Sequence, residues 1–116
     1  MNNDEKCKLK QIEEKGINNL EEKYHCKITV LKCEFYLDLY KQFPIDAAVP
    51  CEQLKVGQEF ISTNRWVLPE GLCPWAWGDM KPYIHSMHEG RENPLIACCT
   101  DGLRPVIFKL ERIDVK

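Results

Sequence analysis

Trp77, Met80, Ile84 and Met87 stand three, four and three residues apart. That interval brings all four to one face of a helix. The signals on either side agree with it. Pro69-Glu70-Gly71 reads as a turn, Cys73 falls at the cap position and Pro74 at the first helical position, where a missing N–H leaves no partner wanting. Glu89-Gly90 supplies the stop. Pro82 should kink the helix, with Gly78 four residues earlier at the place of the lost hydrogen bond. One strong apolar helix face needs one apolar surface to cover, and the remaining segments decide what that surface is.

They read mostly as strands. His25 to Cys33 is β-branched, with Ile28 and Val30 on one side and Lys27 and Thr29 on the other. Glu34 to Phe43 is aromatic-rich and reads as a helical turn before Pro44; Pro44 to Cys51 is a loop bracketed by two prolines. LKVGQEFIS suggests a second strand around Gly57 that ends near Asn64, and Trp66 to Leu68 a short third one. PLIACC and RPVIFKLERI form a hairpin joined by Thr100-Asp101-Gly102-Leu103, because Asp-Gly supplies the positive backbone angles of a tight turn. Val106, Phe108 and Leu110 alternate with Ile107, Lys109 and Glu111, which gives that strand one buried face. The expected fold is α+β: a small, twisted, barrel-like antiparallel sheet packed on one principal helix.

Residues 25–116 make a single domain, and residues 1–24 a helical extension. In the extension Leu9, Ile12, Leu20 and Tyr24 fall at roughly helical spacing; Gly16 breaks it, and Asn19 with Glu22 resembles a capping box. So polar a segment suits weak packing, or pairing with another copy of the chain. No internal repeat or low-complexity stretch occurs. At 116 residues, folding buries roughly two-thirds of the unfolded surface, enough for one core without staples. Sixteen basic and eighteen acidic residues, mixed along the chain, leave a net charge of −2. That field attracts neither nucleic acid nor an anionic membrane. No run reaches the ~18 apolar residues of a membrane helix. The charged start MNNDEKCKLKQIEEK is unlike a signal peptide, so a cytoplasmic location is expected. There the seven cysteines, an odd number, are expected to be thiols rather than a disulfide framework.

Cys73 is the leading candidate for chemistry. At a helix N-terminus, unpartnered N–H groups and the helix dipole favour a thiolate, hence a nucleophilic or metal-binding sulfur; the plainer reading is a cap or filler beside Trp75. Cys98 and Cys99 are adjacent on a strand and point to opposite faces, so one of them at most joins Cys73. Cys99 is taken as that partner. A composite metal site for zinc or iron would draw on Cys51, Cys73 and Cys99, with Cys26 or Cys33 as outside candidates, although no Cys-x-x-Cys supports it. His85 and His88 share a helix face with Lys81 and read as solvated; His25 reads as structural or exposed. Asp101 is a turn former. Arg104 suits a carboxylate or phosphate, or else a solvated ion pair. Trp66, Trp75, Trp77 and Tyr83 gather aromatic surface near Cys73, and Trp75, Trp77 and Tyr83 are the candidate walls of a ligand pocket. Phosphate loops, Gly-x-Ser-x-Gly and His-Glu-x-x-His are absent.

The blocks EGLCPWAW and ACCTDGLRPVIFKLERI, with KITVLK, the Pro50-Cys51 pair and VGQEF, resemble those of an uncharacterised prokaryotic family of short, cysteine-containing proteins. The similarity runs from about Tyr24 to Ile113. The resemblance implies a compact α+β domain with cysteines recurring at Cys51, Cys73 and Cys99, and it implies no activity.

Two functional readings follow. One is a cytoplasmic domain whose site is centred on Cys73, with Cys99 and Cys51, doing thiol chemistry or binding a metal. The other is a non-catalytic module for a small ligand or a protein, with packing cysteines and with recognition through Arg104 and the exposed aromatics.

Overall fold

The computed structural model describes residues 22–44 and 53–115. Strand β1 (Tyr24–Cys33) is followed by the short helix α1 (Leu37–Gln42), strand β2 (Glu59–Ser62), helix α2 (Pro74–His88) and strands β3 (Leu95–Cys98) and β4 (Val106–Asp114). The four strands form one antiparallel sheet in the order β2-β1-β4-β3. Of the expected extension, residues 1–21 lie outside the described residues, as do residues 45–52 of the expected loop; Glu22 and Lys23 are not helical.

β1 and β4 form the centre of the sheet, with Ile28 opposite Leu110 and Val30 opposite Phe108. Alternation along both strands turns Cys26, Ile28, Val30, Val106, Phe108 and Leu110 to one face, where all are buried. α2 packs across that face against β1, β3 and β4. It contributes Ala76, Met80, Ile84 and Met87, each almost fully buried. Each large side chain of this single layer contributes about 1.5–3 kcal/mol through its burial. The other face is polar in part, with Lys27 paired to Glu59 and Lys109 to Glu111.

The sheet is open, not barrel-like. Its edge strands, β2 and β3, have four residues each and, among the described residues, pair only with β1 and β4 respectively, which leaves both edges unjoined there. The register of β1 against β4 shifts between Val30 and Lys32, a bulge that admits one extra residue. Trp66 to Leu68 is a turn rather than a third strand. The Asn64 side chain accepts the Trp66 N–H at 2.9 Å and its carbonyl accepts the Val67 N–H at 3.1 Å, a local alternative to a strand ladder. β2 is also shorter than expected, because Gly57 sits in a turn at φ +92°.

α2 begins and ends as its sequence indicates. Cys73 is the cap residue and Pro74 the first helical residue. At the other end Gly90, at φ +104°, closes a Schellman arrangement: Gly90 N–H donates to the Met87 carbonyl and Arg91 N–H to that of Ser86. The helix runs through Pro82 without a break.

Candidate functional site

A cleft of about 320 Å³ opens where the first turn of α2 meets the loop between β3 and β4. Cys73, Trp75, Ala76 and Asp79 line it from the helix side; Cys99, Thr100, Asp101, Arg104 and Val106 line it from the hairpin side. Gln53 and Leu54 complete the wall.

The hairpin side is not the tight Asp-Gly turn the sequence suggests. Seven residues, 99–105, separate β3 from β4, and Gly102 does not take a positive φ. The Asp101 side chain organises the loop instead. Its Oδ1 accepts the backbone N–H groups of Leu103 and Arg104 at 3.2 and 3.0 Å, and its Oδ2 accepts Arg104 Nε–H at 3.1 Å. Burial pushes the Asp101 carboxyl up, but the bonds from Arg104 and Leu103 outweigh this and hold it below its ordinary range. Asp79 ties the loop to α2: its Oδ2 accepts from both the N–H and the hydroxyl of Thr100, at 2.8 and 3.0 Å. Both acidic side chains are therefore fixed by neighbours rather than pointing free into the cleft.

The two cleft sulfurs are held differently. Cys73 packs partly against the core; its sulfur caps no backbone N–H, although its carbonyl accepts the Trp77 N–H at 3.0 Å. Cys99 Sγ accepts the backbone N–H of Val106 at 3.3 Å, while Cys99 N–H donates to the Val106 carbonyl. Cys98 points the other way, as adjacent strand residues must, and is exposed. Its thiol is pushed up, by burial first and then by neighbouring Cys99 and Asp79.

Four sequence candidates thus come together: Cys73, Cys99, Trp75 and Arg104. Trp77 and Tyr83 do not join them. Trp77 follows Trp75 by two positions, about 200° around the helix, and packs against the core with Lys81 stacked on its ring at 4.4 Å. Tyr83 lies eight positions on, roughly 12 Å along the axis, and is exposed. Of the proposed metal set, Cys51 lies outside the described residues. Among the described residues no group of three or more His, Cys, Asp and Glu side chains could hold a metal ion. Cys26, one outside candidate, is sealed in the core; burial pushes its thiol up to about 12.

His88 corrects the sequence reading. Expected on a solvated face, it is buried at the end of α2. Its Nδ1 faces the Tyr24 carbonyl at 2.8 Å, an acceptor only, so Nδ1 carries the proton and Nε2 accepts the Ser62 hydroxyl at 2.8 Å. Spacing was the available signal: His88 lies four residues after Ile84 and continues the buried stripe. Beside it Glu22 receives Arg65 through its backbone N–H, Nε and Nη2 at about 3 Å, and Arg65 Nη1 reaches Glu89. Ser62 is 1% exposed, so this Ser–His pair presents no hydroxyl to a substrate and acts as a clamp between β1, β2 and α2. His85 stacks edge-on to Trp66 at 5.0 Å.

No family model, curated protein or solved structure matches the chain. Among the described residues no helix is long and apolar enough to cross a membrane.

Proposed function

We propose that this chain works through the cleft at the start of α2, as a small-ligand site doing thiol chemistry with Cys73 at its centre and Cys99 on the facing wall. The observation that carries this reading is the convergence of Cys73 and Trp75 from the helix with Cys99 and Arg104 from the hairpin on one cavity. A volume of about 320 Å³ is at the lower end of ligand pockets, and a few polar groups on a partly apolar wall are their usual make-up. The blocks EGLCPWAW and ACCTDGLRPVIFKLERI supply the two walls. We accordingly read the chain as a relative of the prokaryotic family those blocks resemble, acting in the cytoplasm.

Native alkylation by iodoacetamide with peptide mass spectrometry tests the proposal, alongside elemental analysis of protein purified without oxygen. The expected result is preferential labelling of Cys73 or Cys99 over Cys98, slowed by Trp75→Ala, in metal-free protein. Stoichiometric zinc or iron, lost in Cys73→Ser, would replace thiol chemistry by metal binding. Labelling of both cleft cysteines no faster than Cys98 would favour a binding module with packing cysteines.

A further inference from the structure

Arg65, Arg104 and Arg112 each meet a carboxylate among the described residues, and the first two are used differently. Arg65 has its guanidinium taken up by Glu22 and Glu89. Arg104 donates only Nε to Asp101, and its Nη1 and Nη2 have no partner among the described residues. The Asp101 contact fixes the plane of the guanidinium, and the same carboxylate also grips the Arg104 backbone N–H. What is left is the outer edge of an oriented fork, at the wall of a cleft that holds two thiols. Two parallel N–H groups of that kind match the two oxygens of one carboxylate.

Resting on the thiol-cleft reading, we propose that Arg104 is the recognition arm of the site and that its ligand is a small molecule with a single carboxylate. Charge argues for that class over a phosphate ester. Asp79 and Asp101 line the same cleft as Arg104, so the walls already carry one negative charge in excess. A dianion would meet two carboxylates for one guanidinium, whereas a monoanion pairs with the fork and leaves the fixed acids engaged with their own donors. Size agrees: at ~30 Å³ for each water-sized group, the cavity admits a ligand of about ten non-hydrogen atoms. Trp75, 80% exposed at the rim, offers an indole face to the uncharged part.

Iodoacetate and iodoacetamide make the test, since they differ in the carboxylate. In each, the thiolate sulfur forms a bond to the methylene carbon while the carbon–iodine bond breaks and iodide leaves with the electron pair. The ratio of the two rates at one cysteine is independent of that thiol's protonation, so Cys98 serves as the internal reference. The expected result is a ratio at Cys73 or Cys99 about fivefold above that at Cys98, the scale of one partly exposed ion pair. Arg104→Gln should bring it to the Cys98 value, Arg104→Lys should leave part of it, and acetate should protect the cleft cysteines better than inorganic phosphate does. Equal ratios at all three cysteines, an unchanged ratio in Arg104→Gln, or stronger protection by phosphate would each overturn the assignment. Acetate competition uses the unaltered chain and decides the matter even if Arg104→Gln does not fold. If iodoacetamide labels the cleft thiols readily while the ratios stay equal, the carboxylate assignment fails alone. If neither reagent labels them ahead of Cys98, the thiol-cleft reading fails with it.

Discussion

The hydroxyl of Ser62 and Nε2 of His88 lie 2.8 Å apart, both inside the protein, joining the end of β2 to the last turn of α2. The imidazole is held neutral. Burial pushes it below its ordinary value of 6.5, and nearby Arg65 adds to this, against Glu22 and the Tyr24 carbonyl, which favour the cation. A folded value below the unfolded one means that the unfolded chain binds the proton more tightly. Stability from this site is therefore present above pH 6.5 and declines as the pH falls below it. Thermal unfolding between pH 8 and 5 should show that decline, and His88→Gln should remove its share of the slope. A slope of unchanged size in His88→Gln would refute the neutral, clamped imidazole. Glu22 behaves in the same direction at lower pH: burial raises it, the Arg65 bonds outweigh burial, and its contribution is lost as the pH falls below 4.5.

Met80 and Trp75 occupy the same helix but should separate stability from site function. Met80 is completely buried against the sheet, and truncation to alanine should cost about 2–5 kcal/mol. Trp75 is 80% exposed; its alanine variant should lie within about 0.5 kcal/mol of the parent yet slow alkylation of Cys73. Urea titration of both variants, with the labelling rates, checks the contrast.

Gly90 and Gly102 make a second pair of opposites. Gly90 has φ +104°, and an added Cβ would approach the Tyr24 ring at 3.0 Å. That ring is itself backed by Arg112 at 4.8 Å. Gly90→Ala should therefore destabilise by more than the ~1–2 kcal/mol of the backbone conformation alone. Gly102 has no positive φ and open space at its Cβ, so Gly102→Ala should be neutral or stabilise by up to ~1 kcal/mol. A large loss in Gly102→Ala would mean that the loop needs a glycine after all.

Cys26 provides a clock for unfolding. With no exposed surface and its thiol pushed up to about 12, it should resist iodoacetamide at pH 8 until the sheet opens. Its labelling rate should then follow global unfolding across a denaturant series. Labelling in the absence of denaturant, at a rate comparable with Cys98, would contradict the packing of β1 under α2.

The parts of this fold that periodicity governs were legible in the sequence. Met80, Ile84 and Met87 at helical spacing, and Val106, Phe108 and Leu110 at strand spacing, are the buried faces of α2 and β4. The structure departs from periodicity where one side chain redirects the backbone. Asn64 folds Trp66 to Leu68 into a turn, and Asp101 gathers a longer loop in place of the Asp-Gly hairpin. His88 differs for another reason: Lys81 on the same helix side suggests a wet face, while the spacing of four from Ile84 carries His88 onto the buried stripe. The cleft was legible only in its members. Cys73 and Cys99 stand 26 residues apart, and no local pattern could show that the Asp79–Thr100 bonds draw their segments together.

Between β3 and β4 the ladder ends in an unusual way, with a thiol taking the backbone donor that a carbonyl would ordinarily receive. Sulfur is thus the last rung. A group attached to Cys99 would crowd and weaken the acceptor that the Val106 N–H uses, so modification of that sulfur would be felt in the ladder as well as in the cleft. Amide exchange at Val106 should then quicken when Cys99 is modified, a reporter of that sulfur written into the main chain.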